Sequence, residues 1–206
     1  MGSSSFASMP INTQCIELGP CLHIEMQLSF IRYFYKTDVK KALFSIVSSK
    51  SPGPNGYGSE FYREMWHDLG DEISKAILDF FHSGRIPKEL NETVLALVPK
   101  VEFPNKVVDY RPNSYCNTLY KCISKVNSSR LVELLLFLVG QNQGAFVKGR
   151  SLAHNILIFQ DLINNRKNTS LRCALKIDLG KAYDTVDWDF LENFLTSLRF
   201  PTKFIQ

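Results

Sequence analysis

Leu175-Lys176-Ile177-Asp178-Leu179-Gly180-Lys181-Ala182-Tyr183-Asp184 places a lone carboxylate at the end of an alternating apolar stretch and an aromatic ring five residues further on. In a strand, Leu175, Ile177 and Leu179 share one face while Lys176 and Asp178 share the other, so Asp178 is turned away from the core. Its charge is then available to a hard cation such as Mg²⁺, which binds through one or two carboxylates and the phosphates of a substrate. An aspartate at a strand-to-helix corner is also a common turn former or helix N-cap, and the decapeptide alone leaves both readings open.

Segments on either side supply the context. Ser51-Pro52-Gly53-Pro54-Asn55-Gly56-Tyr57 is a rigid turn, because each Pro fixes φ and each Gly permits positive φ. Before it, Val39, Ala42, Leu43 and Ile46 recur at helical spacing, with Asp38 as the expected cap. After it, Ser59 is the expected cap of a helix carrying Phe61, Tyr62, Met65, Trp66 and Leu69 and closed by Gly70. A second helix follows, with Asp71 and Glu72 in its first turn, Ile73, Ala76, Ile77 and Phe80 on one face, and a stop near Gly84. Thr93 to Val98 reads as a strand. Asp109-Tyr110-Arg111-Pro112 reads as extended or turn, since the residue before Pro is pushed out of the helical region. Leu119, Cys122, Ile123, Val126, Leu131, Leu134, Leu135 and Leu138 predict one long helix or two abutting ones. Gln141 to Arg150 is a loop of hairpin character, Ser151 precedes an amphipathic helix, and Asp187 is a good N-cap for a helix bearing Phe190, Leu191, Phe194, Leu195 and Leu198.

Four ordered blocks resemble one family. They are Ser51-Pro52-Gly53-Pro54-Asn55-Gly56; Asp109-Tyr110-Arg111-Pro112 with Leu119-Tyr120-Lys121 and Ser124-Lys125; Asn142-Gln143 to Phe146 with Gly149-Arg150; and Lys176-Ile177-Asp178 to Tyr183-Asp184. Over residues 38 to 204 the chain looks like the fingers and first palm segment of a reverse transcriptase from a LINE-type, non-LTR retrotransposon, closest to the plant branch. The resemblance implies an α+β fold: helix-rich fingers plus the first palm strand and helix of a right-hand polymerase, with the palm incomplete. It assigns Asp178 as the catalytic, metal-binding carboxylate and the carbonyl of Leu179 as a second ligand of Mg²⁺. In the family scheme two ions roughly 3.5 to 4 Å apart activate the attacking oxygen and stabilise the leaving one. Tyr183 falls at the family's steric gate against a ribose 2′-hydroxyl, favouring dNTPs. Arg111, Arg150 and Lys121 are candidates for the triphosphate or the template, because guanidinium and ammonium groups neutralise phosphate. The implied partners are an RNA template, an RNA/DNA duplex and dNTP.

The chain also departs from that pattern. Asn113 and Tyr115 stand where apolar residues are usual, Lys148 replaces a Pro, and Gly180 stands where a small polar residue is commoner. An unpartnered amide at Asn113 in a core would cost about 1 to 3 kcal/mol. The family's second carboxylate block, an aromatic-x-Asp-Asp hairpin, is missing, as no Asp-Asp pair occurs within the 206 residues. The expectation is a domain truncated after its first catalytic block and inactive as a polymerase in isolation. The alternatives are a non-catalytic module binding RNA or RNA/DNA through Arg111, Lys121, Lys125, Lys148 and Arg150, and a non-functional remnant.

Composition agrees with these readings without selecting among them. A 45% hydrophobic content supports one sizeable core or two small ones, and a net charge of +4 is mildly basic. Five cysteines with no Cys-x-x-Cys pair read as reduced thiols, and the four histidines are scattered. No signal-peptide pattern and no membrane-length apolar run occurs, so an intracellular location without membrane contact is expected. The expected divisions are a loosely ordered N-terminal segment over 1–37, a fingers-like region over 38–170, and the first palm strand and following helix over 171–206.

Overall fold

The computed structural model describes residues 16, 18–141, 143–144, 147, 149–164 and 186–205, with the backbone alone at 152, 154, 155 and 162–164. Its elements in chain order are α1 (Ile24–Phe30), α2 (Lys36–Phe44), α3 (Ser59–Glu64), α4 (Trp66–Ser83), α5 (Lys88–Asn91) and β1 (Thr93–Pro99). A 3₁₀ turn (Val107–Asp109), β2 (Tyr110–Cys116), α6 (Thr118–Leu138), α7 (Leu152–Asn164), α8 (Trp188–Ser197) and α9 (Thr202–Ile205) complete the series. The described residues are thus predominantly helical with a small antiparallel sheet, β1 beside β2. It divides into two compact units, residues 33–130 and residues 1–32 with 131–206.

The first unit is built on α2, α4 and the N-terminal half of α6. Val39, Ala42 and Leu43 of α2 are buried at the expected helical spacing, as are Gly70, Ile73, Ser74 and Ile77 of α4. They close on Tyr62, Cys122, Ile123 and Val126, with Phe34, Trp66, Phe80 and Phe81 packed around them. Arg130 is buried too, its guanidinium 3.3 Å from the centre of the Phe34 ring and donating to the Tyr33 carbonyl at 2.8 Å. Stacking on an aromatic face and a carbonyl acceptor make a buried guanidinium tolerable.

Several helix ends differ from expectation. Asp38 does not cap α2; it lies inside the first turn and accepts the Tyr35 backbone N–H at 3.0 Å. Ser59 is the first residue of α3 behind Gly58, with its hydroxyl buried and without a hydrogen-bond partner. Gly70 does not close a helix: the break falls at Met65, and α4 runs through Gly70 to Ser83. A Cβ at Gly70 would lie 3.0 Å from the Trp66 ring, so the glycine serves the fit of that indole. Gly84 ends α4 as expected, with φ 69° and its N–H on the Phe80 carbonyl at 2.8 Å.

β1 and β2 pair from Thr93 opposite Cys116 to Pro99 opposite Tyr110. Asn113 faces Ala96 in this register and is exposed, so the expected cost of a buried amide does not arise. The connection is held by Asp109, whose carboxylate accepts the N–H groups of Asn105 and Lys106, both at 2.9 Å.

In the second unit Leu22, Phe30, Leu134 and Phe200 form the buried centre, joined by Met26, Leu131, Leu138, Leu195 and Leu198. Leu22, Met26 and Phe30 are spaced by four, a helical period in a segment whose sequence gives no other periodic signal. Asp187 caps α8 as expected, accepting the Phe190 N–H at 2.8 Å. The helix ends with Arg199 at φ 63° and the Phe200 N–H on the Leu195 carbonyl at 3.0 Å. That is a Schellman closure with arginine where glycine is least costly. In the 141–150 loop the Gln143 N–H reaches the Gly140 carbonyl at 3.1 Å and the Arg150 N–H the Val147 carbonyl at 3.2 Å, while residues 142, 145, 146 and 148, on which the expected hairpin depends, lie outside the described residues.

Burial pushes the Cys122 thiol up from 9.0 to about 12, where its Sγ–H points at the Val39 carbonyl, 3.7 Å away. The unfolded thiol releases its proton near its ordinary value while the folded one keeps it, so stability present below pH 9 is lost as pH rises toward 12. Tyr62, raised chiefly by burial, acts in the same direction. Urea midpoints should therefore fall between about pH 8 and pH 11, and fall less in Cys122→Ala than in the parent chain.

Candidate nucleic-acid interface

The proline-glycine turn is fixed to the start of α6 by one asparagine. Asn117 is 1% exposed, and its amide uses both ends: Nδ2 donates to the Glu89 carbonyl at 2.8 Å, and Oδ1 accepts the Asn55 N–H at 3.2 Å. Its carbonyl accepts the Lys121 N–H at 3.0 Å, opening the helix. Gly53 lies against it so closely that a Cβ would stand 2.4 Å from the Asn117 nitrogen. Thr118 Oγ1 donates to the Tyr57 carbonyl at 2.7 Å and Lys121 Nζ to the Ser51 carbonyl at 2.6 Å, so both ends of the turn are held by α6. Asn117 and Thr118 carry none of the roles expected from sequence. The signal for Asn117 was an asparagine immediately before a helical apolar repeat, the pattern of a cap.

The expected site residues are distributed as follows. Lys121 is half-buried on the first turn of α6, its ammonium engaged by the turn. Arg111 is exposed on β2, opposite Val98. In the other unit, the Arg150 guanidinium donates to the carbonyls of Gly140 and Val139 at 2.5 and 2.8 Å and of Gln143 at 3.0 Å. It thereby closes the C-terminal end of α6, where unpaired carbonyls favour a cation. Asp178, Leu179 and Tyr183 lie outside the described residues. Among the described residues no group of three or more His, Cys, Asp or Glu side chains is placed to hold a metal. Cys21, Cys116 and Cys122 are free thiols. No described helix is long and apolar enough to cross a membrane.

Because the Gly53 contact is with backbone, it has no flexible side chain to yield. Gly53→Ala should lower unfolding stability by about 2 kcal/mol or more, the range for overpacking a closed site. Asn117→Ala leaves the Asn55 N–H and the Glu89 carbonyl unpaired and should cost about 1 to 3 kcal/mol. Denaturant titration of both variants checks these values, with Asn113→Ala on exposed β2 as a near-neutral control.

The family model described as reverse transcriptase (RNA-dependent DNA polymerase) matches residues 98–206, a span running from the end of β1 through Asp178 and Tyr183. The chain is 31% identical over 169 residues to the transposon TX1 uncharacterized 149 kDa protein of Xenopus laevis. That alignment covers 82% of this chain and 13% of the relative, so the chain spans a small part of that protein. With the family match over more than half its length, and a transposon relative over most of it, the chain belongs to the reverse transcriptase family and carries a domain of the non-LTR retrotransposon type.

Proposed function

We propose that residues 1–206 supply the fingers and the first palm block of a retrotransposon RNA-directed DNA polymerase and do not polymerise by themselves. The observation that supports this most is the family match extending through Asp178 and Tyr183. In this reading residues 38–170 are the fingers-like region, residues 171–206 the first palm strand and helix, and residues 1–37 a leading segment. Asp178 presents the carboxylate and Leu179 a carbonyl to the divalent ion, while the Tyr183 ring meets the sugar and excludes a 2′-hydroxyl. Arg111, exposed on the sheet, is the freest of the three cations to take a phosphate. Lys121 and Arg150 each spend donors on backbone carbonyls and reach phosphate with the N–H groups left over.

A two-ion site needs more than this donor set. One carboxylate does not offset the repulsion of two divalent ions about 4 Å apart. The 206 residues therefore fit half of such a site, and the other carboxylates must come from outside them. Incubated with primer, RNA template, Mg²⁺ and dNTPs, the chain should incorporate no more nucleotide than its Asp178→Ala variant. Incorporation above that control would overturn the proposal.

Binding without chemistry is a second reading, supported by the exposed Arg111 and Lys125. Phosphate contacts release counterions, so affinity for RNA should fall as salt rises, and Arg111→Ala should reduce the slope of log K against log salt by about 1. A slope unchanged by Arg111→Ala would remove that residue from the interface.

A further inference from the structure

Tyr57, at the end of the pinned turn, is 49% exposed, and Phe61, in the first turn of α3, is 36% exposed. Their rings lie 4.6 Å apart at an angle of 33°, and both pack on Tyr62, which is 7% exposed, with centroids 6.3 and 5.3 Å away. A buried ring thus supports two that keep surface open to solvent. The support is itself fixed: Asn55 Nδ2 donates to the Tyr62 hydroxyl at 3.4 Å, and the Tyr57 carbonyl is held by Thr118 at 2.7 Å. Gly56 and Gly58 flank Tyr57 with nothing within 4 Å of where a Cβ would stand, so its chain neighbours add no bulk beside it, and the open surface is the part of the ring turned away from Phe61 and Tyr62. Cations border it. Lys50 is exposed just before the turn, and Lys121, one helical turn after Thr118, holds its ammonium at the Ser51 carbonyl.

We infer that Tyr57 and Phe61 form a stacking platform for an unpaired base of single-stranded nucleic acid, with Lys50 and Lys121 taking the adjoining phosphates. The inference rests on the nucleic-acid reading of the chain and adds to it a site and a strand state. An aromatic face accepts any base, and a neighbouring cation follows the backbone, so such a platform binds single strands with little sequence preference. A duplex keeps its bases in the stack and gains nothing from the rings. Held by α6 from both ends of its turn, the Tyr57 ring needs little ordering on binding.

The test uses the full 206-residue chain with a mixed-sequence oligoribonucleotide carrying 2-aminopurine, single-stranded or annealed to its complement. Wild-type protein should quench the single-strand fluorescence, and Tyr57→Ala should weaken single-strand affinity about tenfold while leaving duplex affinity unchanged. Tyr57→Leu keeps an apolar side chain on Tyr62 but has no π-face, and should lose as much. Tyr57→Trp should bind at least as well as wild type. Single-strand affinity equal to wild type in the folded Tyr57→Leu variant would overturn the platform while leaving salt-dependent RNA binding intact. Absence of any salt-dependent binding by the wild-type chain would instead remove the nucleic-acid reading together with the platform.

Discussion

The contact between Gly53 and Asn117 is the constraint on which the placement of the 51–57 turn against α6 depends. The glycine has no side chain because the asparagine backbone occupies the space. The asparagine, fully enclosed, must find partners for its amide, and it takes them from two separate segments, the turn at Asn55 and the α5 carbonyl of Glu89. A buried amide satisfied at both ends positions what it touches more sharply than apolar packing does, since a displacement of either segment leaves a polar group unpaired. Two pieces of chain remote in sequence are thereby brought to the first turn of α6, where Thr118 and Lys121 complete the attachment.

Residues that resemble functional motifs therefore do structural work as well. Asp109 ties the connection between β1 and β2, Lys121 holds the turn, and Arg150 closes the far end of α6. A cation or carboxylate engaged by backbone in this way is also fixed in orientation. Arg111 is placed differently, on a two-stranded ribbon exposed along most of its length. Ribbons of two strands have little stability of their own, and Val94, Leu95, Leu97 and Val98 remain open to solvent among the described residues.

Much of this organisation is legible in the sequence. The periodic apolar positions of α2, α4 and α6, the Thr93–Val98 strand, the stop at Gly84 and the Asp187 cap all follow from local rules, because each depends on hydrogen bonds or side-chain spacing within a few residues. The failures are equally specific. Gly70 resembles a helix stop until the Trp66 ring lies over it, Ser59 resembles a cap until its hydroxyl is buried, and Asn113 resembles a core defect until its strand is exposed. In each, the deciding neighbour is set by packing rather than by the local residue string.

The sequence by itself determined the family, through four ordered blocks, and the positions at which its chemistry is expected, Asp178 and Tyr183. Motif spacing carries that information because the chemistry requires particular groups in a particular order along the chain. Only the tertiary structure decided that Asn117 organises the turn, that Lys121 and Arg150 spend donors on backbone, and that Tyr57 and Phe61 share a supported, open face. Those outcomes depend on contacts between segments up to seventy residues apart, and a linear pattern holds no record of which buried polar groups will need one another.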